Sequence, residues 1–192
     1  PIVHAESLPK IFSSSWEYGG ITILGEGQHD PEQFAIPTPM FIAMDPPKHR
    51  DQRRTVAPAF SPSMIDRMTG DTVKRTGDLL DTLPIGQPFD WVDTVSMELT
   101  TQMLAILFDF PWEKRRDLTR WSDILGNIET FVSHESRAFR HQNMMEMAMS
   151  FGALWQEKAK NPGEHDLISI MLRSEAMSHM DQQEFIGNLI LL

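Results

Sequence analysis

Residues 44–54 read Met44-Asp45-Pro46-Pro47-Lys48-His49-Arg50-Asp51-Gln52-Arg53-Arg54. An Asp followed by two prolines predicts a helix start, because the carboxylate can cap free amides and proline fits the first turn without losing a hydrogen bond. The helix is expected to carry His49 to about Ala57, where Pro58 removes a backbone donor and ends or bends it. Ser61 and Pro62 then predict a second helix through Met64, Met68, Leu79 and Leu80 to near Leu83. His49 and Arg53 stand four apart, so they share a helix face and can both donate to one anionic group or to a pair of carboxylates. Lys48 to Arg54 holds four Lys or Arg against one Asp, in a chain whose net charge is −10. Two readings of this contrast stay open: an anion site, or a solvated basic helix face of little energetic weight.

Upstream, Gly and Pro punctuate the chain. Ile21 to Leu24, between Gly19–Gly20 and Gly25, is expected to form one short strand. Gln28 to Met44, with Pro31, Pro37 and Pro39 among apolar residues, reads as an ordered packed loop. Downstream, apolar residues repeat at spacings of three and four: Val92, Val95, Leu99, Met103 and Ile106; then Leu118, Trp121, Leu125 and Ile128; then Met144, Met147, Phe151 and Leu154. Each series predicts one buried helix face. Pro111 is expected to open the second of these helices, Asn161–Pro162–Gly163 to close the third, and Asp166 to cap a short helix through Ile170 and Leu172. Asp181 and Glu184 form a helix-opening pair, and the stretch after them turns apolar up to Leu189–Ile190–Leu191–Leu192. That ending lacks a capping Gly, and residue 1 is not Met. The expectation is that residues 1–192 are a partial single domain, an internal fragment of a longer protein cut inside a core helix. The fold class is mostly α with a minor β part.

Composition narrows the function. The acidic balance argues against a broad nucleic-acid-binding face, and the absence of Cys excludes disulfides, Cys-based zinc sites and Cys nucleophiles within these residues. The longest apolar run, Met103 to Phe108, falls far short of the ~20 residues that span a bilayer. No membrane span is expected, and with no secretion signal at the start the expected location is cytoplasmic. Thirteen Met and eleven Phe against one Tyr suit an interior that moulds around an irregular ligand, or plain core filling. Gly25–Glu26–Gly27 fails as a dinucleotide loop, because Pro31 arrives where the phosphate-binding helix should begin. No nucleophile-elbow Ser, phosphate-loop Lys or paired-His metalloprotease helix is present. His141, His165 and His179 lack ligand spacing, so no metal site is expected. Trp91, Trp112, Trp121 and Trp155 read as packing residues or partly buried anchors.

The segment from Met44 to Arg54 closely resembles the helix signature of the bacterial cytochrome P-450 enzymes, the heme-thiolate monooxygenases, in which Asp-Pro-Pro-x-His-x-x-x-Arg opens a helix under one edge of the heme. Phe89–Asp90–Trp91–Val92–Asp93, Ser96 to Phe108, Arg120–Trp121–Ser122–Asp123, Asp166–Leu167–Ile168–Ser169 and Gly187 to Leu192 fall in family order. The resemblance implies the N-terminal portion of that fold, ending at the start of its long central helix, with heme b as cofactor. It assigns His49 and Arg53 to the heme propionates, the anion-pair chemistry that their spacing suggests independently.

In detail, the segment is similar to the soluble alkane-hydroxylase branch, Met40–Phe41–Ile42–Ala43–Met44 included. That branch implies terminal hydroxylation of medium-chain alkanes or fatty acids, using O2 and electrons from a ferredoxin and its reductase. Met40, Phe41 and Ile42, with Leu125, Ile128 and Phe131, are expected to line the apolar substrate site. Lys48, Arg50 and Arg54 are expected to form a docking surface for an acidic ferredoxin, mainly through encounter rate. The family's thiolate Cys, its Glu-x-x-Arg pair and its oxygen-activating acid-Thr pair would all follow Leu192. No catalytic residue or axial metal ligand is therefore expected in this chain, which by itself should be inactive. Two other readings remain: a hydroxylase of the same fold acting on a terpene or another apolar substrate, and a non-enzymatic helical module that binds a hydrophobic ligand or protein partner.

Overall fold

The structure, a computed structural model, describes residues 39–127 and 133–192. After a single 3-10 turn at Phe41–Ala43, the helices are α1 (Lys48–Val56), α2 (Pro62–Leu80), α3 (Glu98–Phe108), α4 (Arg116–Gly126), α5 (His134–Lys160), α6 (Leu167–Leu172) and α7 (Gln182–Leu191). Every regular element among the described residues is helical, and the strand expected at Ile21 to Leu24 lies outside them. None of the described helices is long and apolar enough to cross a membrane.

The corner between α1 and α2 forms as the prolines dictate. α1 stops at Val56, Ala57–Phe60 tightens into a 3-10 turn around Pro58, and the Ser61 hydroxyl accepts from the Met64 amide to start α2. The start of α1 differs from expectation. Pro47, not Asp45, occupies the cap position and makes no side-chain cap bond, while the Asp45 carbonyl accepts from His49 N at 3.1 Å. With two prolines in succession the first turn has fewer amides to cap, so a backbone carbonyl suffices.

Packing fixes the order of the layers. α5 lies between α4 and α6, α3 packs on α4 and α6, and α1 packs on α6 and on the turn at Phe41–Ala43. The core is aromatic at its centre. Phe108 and Phe110 each lie 5.2 Å from Phe151 between ring centroids, and Trp121 meets Phe110 edge-on at 6.1 Å. Such edge-to-face contacts add to the burial of large rings. Met144, Met147 and Leu154 join Phe151 on the buried face of α5, and Trp121 and Leu125 do so on α4. The α3 series is rotated from expectation. Its buried line is Val95, Thr101, Ala105 and Phe108 with Glu98, whereas Leu99, Met103 and Ile106 are half-buried and Val92 is exposed. A π-helical stretch at Val92–Met97 precedes α3 and shifts the face, because it is wound more widely than an α-helix.

Polar joints hold the helices in register. Glu98 accepts from Arg115 Nε and Gln102 Nε2 on one oxygen and from Arg116 Nε on the other, which ties α3 to the start of α4. Arg140 of α5 donates to the Ile124 and Leu125 carbonyls, satisfying the C-terminal end of α4. Arg75 and Arg115 both lie over the Trp112 ring, at 4.6 and 4.7 Å. The caps expected at Asp166 and Asp181 are present, and Asn161 follows the last residue of α5. α4 starts after a 3-10 turn at Trp112–Lys114 instead of directly at Pro111.

Candidate functional site

α1 carries three distinct stripes. Lys48, Gln52 and Val56 form the inner one, with Gln52 and Val56 buried. Gln52 Nε2 donates to Glu184 of α7 and, at 3.4 Å, to the Ala176 carbonyl. Lys48 Nζ bonds the other Glu184 oxygen at 2.8 Å. Asn188, one turn further along α7, donates to Gln52 Oε1 at 3.2 Å. Pairs spaced i, i+4 on both helices thus interlock. Thr55 adds a hydroxyl contact of 2.6 Å to Ser174.

His49 and Arg53 form the second stripe. His49 is half-buried, its ring edge-on to Phe41 at 6.2 Å, with Nδ1 2.8 Å from the Phe41 carbonyl oxygen. A carbonyl can only accept, so Nδ1 carries hydrogen and Nε2 is the nitrogen left for a second partner. To donate to a carboxylate from Nε2, the ring must be the imidazolium. Arg53 is exposed, and its guanidinium makes no ion pair or hydrogen bond among the described residues.

The third stripe, Arg50 and Arg54, is solvent-facing. Both guanidinium groups lie 3.5 Å from the Asp51 carboxylate. Acids therefore attend the other cations of this stretch: Glu184 binds Lys48, and Asp51 lies beside Arg50 and Arg54. Lys48, expected on a docking surface, is exposed and pairs with Glu184. The donor set left over, an imidazole nitrogen and a guanidinium one turn apart, fits the acidic edge of a porphyrin.

The apolar candidates are dispersed. Phe41 and Leu125 are core residues at 8% and 5% exposure, Met40 is half-buried, and Ile42 is exposed at 49%. Ile128 and Phe131 lie outside the described residues. Of the four described, Ile42 is the side chain that projects from the surface. Sequence reasoning missed Gln52, Glu184 and Asn188. The signal was present, since Glu184 and Asn188 are spaced one turn apart on a helix that is apolar between and after them, where a polar residue needs a partner.

Comparison with known proteins agrees with this architecture. No family model matches the chain. The group-153 cytochrome P-450 of Novosphingobium aromaticivorans is 52% identical, covers 97% of this chain with 45% of its own, and superposes with a TM-score of 0.79. A second group-153 cytochrome, CYP153D17 of a Sphingomonas strain, is 52% identical over 100% of this chain and 46% of its own, with a TM-score of 0.73. Among curated proteins, linalool 8-monooxygenase of Pseudomonas putida is 28% identical over 99% of this chain. The chain belongs to the bacterial cytochrome P-450 family and forms the N-terminal portion of its fold. It spans about half the length of the relatives it matches, 47% of the linalool enzyme and 45% of the Novosphingobium protein. Membership implies a heme cofactor. With no Cys among the 192 residues, an axial thiolate has to come from outside them.

Proposed function

We propose that these residues are the heme-anchoring N-terminal part of a monooxygenase that hydroxylates terminal C–H bonds of medium-chain alkanes or fatty acids. The reading rests on one observation: among the described residues, Arg53 is the α1 guanidinium with no acid beside it, next to a His49 whose Nε2 has no partner there, while acids attend the other cations of the helix. In this reading the cofactor is heme b, and the two side chains bind its propionates. Bound heme with a thiolate ligand supplies the activation of O2. His49 fixes the position of one carboxylate through Nε2, while Arg53 contributes charge and donors one turn further along. The Phe41 carbonyl, accepting from Nδ1, keeps the His49 ring in one orientation.

The test is made on the intact polypeptide. Replacing both His49 and Arg53 by Ala is expected to weaken heme retention by about tenfold or more, the equivalent of one strong charge-assisted bond or better. Full retention in the double variant would refute the assignment. The reduced carbon-monoxide difference spectrum of the intact protein separates an oxygen-activating enzyme from a simple hydrophobic-ligand binder, which should show no thiolate-type band.

The alkane or fatty-acid substrate follows the resemblance at Met40 to Met44, and it is supported by the 52% identity to the group-153 cytochromes. A terpene substrate is the second reading, favoured by the linalool 8-monooxygenase match along nearly the whole chain. The products formed by the intact enzyme distinguish the two. Electron supply is assigned to a ferredoxin and its reductase, with Lys48, Arg50 and Arg54 as the docking charges. Reversing Arg50 and Arg54 to Glu should slow reduction and flatten its salt dependence, because the attraction steers the encounter.

A further inference from the structure

We infer that Asn188 of α7 is a positioning residue for His49, acting through the two backbone groups of Phe41. This rests on the heme-anchoring reading above. Residues 39–44 contain only a single 3-10 turn, so their amides find few partners in regular structure. The Phe41 amide instead donates to Asn188 Oδ1 at 2.8 Å, in a fully buried bond between residues 147 positions apart. The carbonyl of the same Phe41 accepts from His49 Nδ1 at 2.8 Å and from the Met44 amide at 3.1 Å. One residue therefore joins the α7 side chain to the imidazole.

Asn188 is itself a fixed point. It is 0% exposed, and its amide nitrogen donates to Gln52 Oε1 and contacts Met180 Sδ at 3.1 Å. Gln52, also 0% exposed, is in turn held by Glu184. Gln52 lies on α1, three residues past His49, so the loop runs from α1 to α7, to Phe41 and back to α1. Burial alone would admit an apolar residue at 188, as it does at Ile186 and Leu189 of the same helix. Such a residue would leave the Phe41 amide without its partner and release the carbonyl that sets the imidazole. Partners of this outer kind typically change the affinity of the group they orient by about 10–100-fold.

The test compares heme loss to an excess of a heme acceptor in the intact polypeptide for wild type, His49→Ala, Asn188→Leu and the double variant. Asn188→Leu is expected to speed heme loss about tenfold with His49 present, and to add little once His49 is Ala. An equal effect in both backgrounds, or none in either, overturns the inference and leaves the heme-anchoring reading standing. No change in His49→Ala itself overturns this inference, while the heme-anchoring reading is decided by the double variant that also replaces Arg53. Should Asn188→Leu fail to fold, Gln52→Met takes its place, since it withdraws the brace on Asn188 at similar volume. The same coupling to His49 is then expected, and simple additivity overturns the inference.

Discussion

At Glu184 a single buried carboxylate meets donors from two residues of α1, Lys48 on one oxygen and Gln52 on the other. Removing it leaves one N–H of the buried Gln52 amide without a partner, which is costlier than the net worth of the bond. Glu184→Ala is expected to lower unfolding stability by about 1–3 kcal/mol, read as a lower urea midpoint. Lys48→Met is expected to cost under about 1 kcal/mol, because a Lys side chain 44% exposed gains little from its ion pair. The apolar neighbours Phe41 and Ile42 divide in the same manner. Phe41→Ala should cost about 3–5 kcal/mol by opening a core cavity. Ile42→Ala, at a side chain 49% exposed, should leave the urea midpoint nearly unchanged.

Among the elements, α6 shows how a six-residue helix becomes the centre of a core. Leu167, Ile168 and Met171 are fully buried, and the Asp166 side chain accepts from Ser169 N at 2.8 Å to start the helix. Gly163 sits so close that a Cβ there would collide with the Asp166 carboxylate. Gly163→Ala is expected to destabilise the fold by about 1–3 kcal/mol, measured by thermal or urea unfolding. The joint between α3 and α4 responds instead to pH. Burial by itself would raise the Glu98 carboxyl, but hydrogen bonds from Gln102 and Arg115 and the charges of Arg115 and Arg116 outweigh it, holding its pKa below the usual range. Its stabilising effect is fully present above the unfolded-state value and is lost as pH falls through the lower folded one. Glu98→Gln should therefore flatten the acid limb of the stability profile, from about pH 5 downward, while also lowering stability at neutral pH.

For the whole molecule, the missing thiolate decides what this chain can do. Residues 1–192 supplied with heme should give no thiolate-type carbon-monoxide spectrum, whereas the intact polypeptide should; a thiolate-type band from the 192 residues would contradict the absence of Cys. The surface also shows where the described residues lack apolar cover. α2 buries none of its side chains, Ile65 and Val73 are exposed, and Ile85 beyond it is 99% exposed.

Much of this was written into the chain locally. Prolines at 46, 47, 58 and 62 set the corner between α1 and α2, Asp166 and Asp181 mark two helix starts, and the spacing of Met144, Met147, Phe151 and Leu154 predicts the buried face of α5. These are short-range steric and hydrogen-bonding rules, legible wherever the residues stand. The spacing of His49 and Arg53 belongs with them. What tertiary structure alone decided is how each polar group near that pair is used: that Glu184 binds Lys48 and Gln52 after its amide has met the Asp181 cap, that Asp51 attends Arg50 and Arg54, and that Asn188 reaches the Phe41 amide. A polar side chain's partner depends on which element folds against it, and residues more than a hundred positions apart meet only when α7 closes on α1.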